Sequence, residues 1–115
     1  MSSAVDLLQA AQAHMAARAD TYDQAQGERS MTSRVEVFNA LTGHTLSEPD
    51  GWVFMAILKL VRYYSNPEKP HRDSLEDGVA YLALMGESAL RDEVHARNMA
   101  MAELMLGQAV ASPAR

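Results

Sequence analysis

The 115-residue chain contains no cysteine, which excludes disulfide bonds, thiolate metal ligands and a cysteine nucleophile. Long apolar runs are also missing, because Lys59 and Arg62 interrupt the most apolar stretch well short of the ~20 residues of a membrane span. The N-terminus lacks the basic region and apolar stretch of a secretory signal. We therefore expect a cytoplasmic protein without a membrane partner.

Basic residues are scarce, with 10 Lys and Arg against 15 Asp and Glu and a formal net charge of −5. Broad binding to nucleic acid needs a basic face, so we do not expect it. The apolar fraction of 48% and the charged fraction of 22% are typical of a soluble globular protein. The length predicts one domain, which we place at residues 1–110 with a frayed tail at 111–115.

No stretch alternates apolar and polar residues as a half-buried strand does, and apolar residues recur instead at three and four positions. This spacing predicts a first helix from Ser2 or Ser3 to about Asp23 and a second from Met31 to Leu41. Gly43 is placed to end the second helix. The apolar stripe of the first helix comprises Val5, Leu8, Met15, Ala19 and Tyr22.

The motif Ser47-Glu48-Pro49-Asp50 combines a cap residue, an early proline and an acid three residues after the serine, as helix starts do. The third helix that follows, to about Tyr64, is apolar on nearly every side, which is typical of a central, buried helix. Pro67 and Pro70 must end it. Such an apolar helix in so short a chain also predicts a homodimer or a higher oligomer.

A fourth helix starts near Asp73 or Ser74 and continues through Gly86 to about Gly107, either unbroken or as two segments. Its predicted inward residues are Leu75, Val79, Leu82 and Met85. The fold class is therefore all-α, a compact bundle of four or five helices.

The candidate site lies on the third and fourth helices. Lys59 and Arg62 are three residues apart and project from nearly the same side of an apolar helix. Asp73, Asp77 and Tyr81 follow at four-residue steps on one face of the fourth helix. Two carboxylates one turn apart suit Mg²⁺, and two cations suit phosphate oxygens.

The same residues have a structural interpretation. Lys59 and Arg62 would then pair with Asp73 and Asp77 and hold the two helices together, or Asp73 would cap its own helix. Spacing does not decide between these interpretations, and complete pairing would leave no open site.

Three further residues are weaker candidates. Glu28 and Arg29 precede the second helix, where an acid could bind a metal and the helix start could hold an anion. His71 lies beside the acidic residues, after a proline turn, and is either a substrate ligand or an ordinary loop residue. The other histidines are isolated in the sequence.

Four motifs carry a family resemblance: Thr21-Tyr22; Gly27-Glu28-Arg29-Ser30-Met31; Phe54-Met55-Ala56-Ile57-Leu58-Lys59 with Arg62; and Asp73-Ser74 with Glu76-Asp77-Gly78 and Ala80-Tyr81. Their order, over residues 17–87, resembles a family of small phage and prophage proteins of unknown function. That family is similar to the MazG-like all-α nucleoside triphosphate pyrophosphohydrolases.

The resemblance implies Mg²⁺-dependent hydrolysis of (d)NTPs to monophosphate and pyrophosphate by a dimer or tetramer. For such an enzyme we expect Glu28, Asp73 and Asp77 to be the catalytic and metal-binding residues. The substrate-binding residues would be Lys59, Arg62, Arg29, His71 and Tyr81.

The enzymes carry Glu-x-x-Glu on one helix and Glu-x-x-Asp on another, and this chain has no Glu-x-x-Glu. Two alternatives to hydrolysis stay open. One is a protein that binds or sequesters a nucleotide without hydrolysing it. The other is a phage-encoded interaction module that acts on a host protein through an acidic or Met-rich face.

Overall fold

The computed structural model describes residues 3–22 and 30–111, with side chains described over residues 3–17 and 30–108. These residues form four α-helices and no strand, which confirms the all-α prediction. The helices are α1 (Ala4–Tyr22), α2 (Met31–Thr42), α3 (Glu48–Ser65) and α4 (Arg72–Ala111). Among the described residues, no helix has the length and hydropathy needed to cross a lipid bilayer. Of the predicted tail, residues 112–115 lie outside the described part.

The helix boundaries follow from local chemistry. At the start of α3, the Ser47 hydroxyl accepts a hydrogen bond from the Asp50 backbone N–H, and the Asp50 carboxylate accepts one from the Ser47 N–H. This reciprocal capping box satisfies two donors that the first turn leaves unpaired. After α2, Gly43 adopts φ +75° and closes the helix through its N–H to Asn39 O, a conformation that suits glycine.

Helix α4 is the scaffold of the fold, because α1 and α3 both pack along its first half. Its contacts with α3 run antiparallel: Glu48 at the start of α3 meets Arg91, whereas Lys59 further along meets Asp77. Within the described residues, the backbones of α1 and α3 do not approach each other. Helix α2 packs on α3 alone among the described helices.

The core is small and centred on Trp52, which is 1% exposed and stacks on Tyr81 with ring centroids 5.9 Å apart. The other buried residues of this cluster are Met31, Val35, Ala56 and Leu84. Gly51 permits α2 to approach α3, because a Cβ at this position would overlap the Met31 sulfur and come within 2.9 Å of Val35 Cγ2.

The expectation that α3 is buried on every side was wrong. Trp52 and Ala56 face the core, but the opposite side is exposed at Phe54 (71%) and Tyr64 (72%). Within residues 3–22 and 30–111, only one of the two apolar sides of α3 packs against another helix. A helix that is apolar all round normally has both sides covered.

The predicted inward faces of α1 and α4 agree only in part with the observed ones, since Met15 and Met85 do pack against the core cluster. On α1, Val5 and Leu8 are exposed and Ala11 is buried instead. On α4, Leu82 is half exposed, and the side toward α3 carries polar residues. The fully or nearly buried positions of α4 are Ser74, Glu76, Asp77, Ala80, Tyr81, Leu84 and Ser88. Polar and ionised side chains therefore occupy the centre of the bundle, and each requires a partner there.

Helix α4 continues unbroken through Gly86, and it extends past the bundle. From Ala89 to Gln108 every residue is exposed. We call residues 92–111 the α4 extension. It accounts for the long dimension of the molecule, which measures 75 × 34 × 26 Å.

Candidate functional site

The start of α4 brings together most of the polar residues that the sequence singles out. It lies between α1 and α3, so successive side chains of its first two turns face different neighbours. Asp77 and Tyr81 face α3, whereas Glu76 faces α1. The predicted alignment of Asp73, Asp77 and Tyr81 along one helix thus places charged groups at a junction of three helices.

Lys59 reaches this junction from α3. Its Nζ lies 3.1 Å from Asp77 Oδ2, and both side chains are only 11% exposed. The same ammonium lies 5.9 Å from the centroid of the Tyr81 ring, within the range of a cation–π interaction. The pairing of Lys59 with Asp77 agrees with the structural interpretation of these two residues.

The other half of that interpretation does not hold. Asp73 and Arg62 are exposed, and neither forms a salt bridge or hydrogen bond within the described part of the chain. Asp73 does not cap α4 either, because that position belongs to His71. The charges of α3 and α4 therefore neutralise each other only in part, and the Asp73 carboxylate remains available at the junction.

Glu76 belongs to the fourth-helix motif but was not among the predicted site residues. Its carboxylate is 7% exposed, with Oε1 2.8 Å from His14 Nε2 and Oε2 2.8 Å from Arg72 Nε. The His14 ring donates here, since an ionised carboxylate can only accept. These hydrogen bonds hold the pKa of Glu76 below its usual range.

His14, Asp73 and Glu76 form a cluster in which one potential ligand atom from each lies within 4.8 Å of the other two. We call it the His14 cluster. Carboxylate oxygens suit Mg²⁺ and Mn²⁺, and an imidazole nitrogen suits Mn²⁺ and heavier divalent metals. A cation bound here would take the place of the His14–Glu76 hydrogen bond. It would also be coordinated by Asp73, which has no competing partner in the described residues.

His71 is a helix cap in this structure. Its Nδ1 accepts a hydrogen bond from the backbone N–H of Ser74 at 3.2 Å and lies 2.7 Å from the Ser74 hydroxyl. The ring thus takes the role that serine or aspartate usually has at a helix start. The remaining predicted residues, Glu28 and Arg29, lie outside the described residues.

His14 has no signal in the sequence, because its partner is 62 residues away. Glu76 lies inside the quoted motif, one residue from Asp77, but only the three-dimensional packing shows that the two acids face different helices.

A second charged cluster has a structural role. Glu48 accepts hydrogen bonds from Thr32 at 2.7 Å, Trp52 Nε1 at 3.1 Å and Arg91 at 2.6 Å, and so joins α2, α3 and α4. Burial raises the pKa of Glu48, but the hydrogen bonds and the Arg91 charge outweigh it and leave a lowered pKa.

Two depressions flank these residues. One of about 210 Å³ lies between α3 and α4; Lys59 alone is charged among its described lining residues, and Ser74 and Leu75 are on its wall. A larger apolar groove of about 320 Å³ lies between α2 and α3, away from the His14 cluster, with Phe38 and Phe54 among its walls. The smaller depression is therefore the one that adjoins the polar junction.

No curated protein matches the chain. No solved structure matches it either. A family model does match, over residues 6–89, and its description is a domain of unknown function, DUF6378. The match includes α2, α3, nearly all of α1 and the packed half of α4, and it ends before the α4 extension. Because it covers well over half of the sequence, the chain belongs to the DUF6378 family.

Proposed function

We propose that the protein is a Mg²⁺-dependent nucleotide-handling protein of the (d)NTP pyrophosphohydrolase type, with its site at the start of α4. The observation that carries this proposal is the His14 cluster, in which three ligand atoms from α1 and α4 lie within 4.8 Å of one another. The motif resemblance to phage proteins and MazG-like enzymes supports the same function.

The net charge of the junction favours binding of a metal cation first and of an anionic nucleotide second. Asp73, Glu76 and Asp77 carry three negative charges, and the two cations that pair with acids of this group, Lys59 and Arg72, carry two positive ones. Arg62 forms no ion pair with them in the described residues, so one negative charge remains when His14 is neutral. A bound divalent cation reverses the sign of this site, and the site then attracts a polyphosphate. Binding of nucleotide should therefore depend on the metal.

The residues of the site would have separate roles in binding the metal and the phosphate. Asp73 and Glu76 would hold Mg²⁺ directly, and His14 would contact it directly or through one of the waters that Mg²⁺ retains. Lys59 and Arg62 would bind phosphate oxygens, and Tyr81 would orient the Lys59 ammonium. Mg²⁺ supplies charge neutralisation and a water of lowered pKa when it is bound.

Binding without hydrolysis is the second candidate, and the existing pairing supports it. Glu76 already contacts His14 and Arg72, and Asp77 already contacts Lys59. Fewer carboxylates are thus available to position an attacking water than in a site of four converging acids. A sequestering protein needs only affinity for the nucleotide.

The test is a thermal-shift titration with a panel of nucleotides, with and without Mg²⁺ or Mn²⁺, followed by ³¹P NMR of the products. A ligand at 100 times its Kd stabilises the fold by ~2.7 kcal/mol, which raises the melting temperature by several degrees. Release of monophosphate and pyrophosphate would establish hydrolysis. A shift without turnover would establish the binding protein.

Asp73→Asn is the decisive variant, because Asp73 has no partner in the described residues and its loss should leave the fold intact. We expect it to abolish the metal-dependent shift. The matched control is Asp92→Asn, an exposed aspartate on the same helix, which should retain the full shift. A shift that survives Asp73→Asn, or no shift with any nucleotide, contradicts the proposal.

A further inference from the structure

Two apolar surfaces have no partner among the residues that the structure describes. The first, the α3 stripe, is the exposed side of α3 and consists of Phe54, Ile57, Leu58, Val61 and Tyr64, which are 40–72% exposed. The second is the apolar side of the α4 extension and consists of Val94, Met101, Leu104 and Met105, which are 51–62% exposed. Monomeric proteins rarely expose continuous apolar patches of more than a few hundred Å².

The extension cannot cover the α3 stripe of its own chain. The first residue of α3, Glu48, contacts Arg91, and from there α3 runs back along the first half of α4. Because α4 is one continuous helix, the extension points away from α3 beyond Arg91. Most helical stability in proteins comes from tertiary packing, which the described residues do not supply to the extension.

The two surfaces match each other in length and spacing. Helix α3 has 18 residues and the extension about 20, so each is roughly 30 Å long at ~1.5 Å per residue. Phe54, Val61 and Tyr64 have the same seven- and three-residue intervals as Val94, Met101 and Leu104. Both sets therefore lie along one side of their helix, as side-by-side helix packing requires.

We infer that the protein forms a two-fold symmetric dimer in which the α4 extension of each copy packs along the α3 stripe of the other. One symmetry operation then covers both surfaces and leaves neither unpaired. The flexible methionines of the extension are suited to pack around the rings of Phe54 and Tyr64. This inference does not depend on the proposed nucleotide chemistry.

The available area is sufficient for a stable dimer. From the exposed fractions, the residues of the two surfaces together present roughly 1,000 Å² per copy, against the ~800 Å² that each partner contributes to a standard interface. Either surface alone falls short of that value. The size argument therefore favours an interface that uses both.

The first experiment is light scattering after gel filtration of the full chain at micromolar concentration. We expect the mass of two chains for the wild type and of one chain for Val61→Glu and Met101→Glu, because each places a charge inside the interface. Leu8→Glu is the matched control: Leu8 is 58% exposed on α1, and this variant should remain dimeric. Circular dichroism checks that the variants fold.

Cross-linking between introduced cysteines tests the arrangement of the two helices. The chain has no cysteine of its own to interfere. An equimolar mixture of Ile57→Cys and Met101→Cys, treated with a short thiol cross-linker, should give more cross-linked dimer than either variant alone. A monomeric wild type overturns the inference. A dimer that Val61→Glu abolishes and Met101→Glu leaves intact also overturns it, because the extension would then lie outside the interface.

Discussion

Lys59 Nζ lies 3.1 Å from Asp77 Oδ2 across the contact between α3 and α4, with both side chains almost withdrawn from solvent. A pair in this position joins α3 to α4, the helix on which α1 also packs. It therefore ties the candidate site to the stability of the fold. Substitution of Lys59 or Asp77 is therefore expected to change the stability of the fold, whether or not the site is functional.

Asp77→Ala should lower the free energy of unfolding by about 1–3 kcal/mol, because it leaves the Lys59 ammonium poorly solvated and without this partner. Urea denaturation measures the loss. Asp92→Ala is the control, an exposed aspartate on the same helix that should change stability by less than about 0.5 kcal/mol. Equal effects of the two variants would show that the ion pair contributes no stability.

Gly51→Ala should destabilise the protein by about 1–3 kcal/mol, because the new methyl group would overlap Met31 and Val35 where α2 approaches α3. Helix propensity acts in the opposite direction, since alanine is favoured over glycine by ~1 kcal/mol within a helix.

Gly86→Ala separates these two effects, since Gly86 is also helical and has nothing within 4 Å of an added Cβ. It should stabilise the protein by up to ~1 kcal/mol. Thermal melts of both variants would show opposite shifts, and a stabilising Gly51→Ala would refute the close approach of the two helices.

Ser47→Ala should cost about 1 kcal/mol, because it removes one of the two hydrogen bonds of the capping box at the start of α3. Ser30→Ala is the comparison, since Ser30 precedes α2 and makes no side-chain capping bond. Chemical denaturation should therefore show a larger loss of stability for Ser47→Ala than for Ser30→Ala. Similar losses at both positions would contradict the capping account.

Stability should fall in acid because of Glu76 and Glu48. Both have a lowered pKa in the folded protein, so their contribution is present above the unfolded value of about 4.3. It is lost as the pH falls through the lower folded values. Denaturation midpoints across this acidic range measure the effect.

Glu76→Gln should reduce stability near neutral pH and make the remaining stability less dependent on acid, since glutamine cannot ionise. Glu68→Gln, at an exposed position between α3 and α4, should keep the wild-type profile. An unchanged acid dependence in Glu76→Gln would show that its contacts with His14 and Arg72 do not stabilise the fold.

Part of the site could be predicted because its residues are close in sequence. Asp73, Asp77 and Tyr81 share a helix, so four-residue steps suffice to align them. The pairing of Lys59 with Asp77 was one of two interpretations that the spacing left open. His14 could not be assigned, since its contact with Glu76 joins helices 62 residues apart and no local pattern encodes such a pairing.

The sequence by itself determined the helices and their ends, because caps, prolines and apolar spacing act within a few residues. Ser47 and Gly43 mark boundaries that the structure retains. Only the tertiary structure decided which side of each helix is buried. Both sides of α3 are apolar, so hydropathy does not select between them; the side that carries Trp52 packs inward because its neighbours fit there, and the side that carries Phe54 remains exposed.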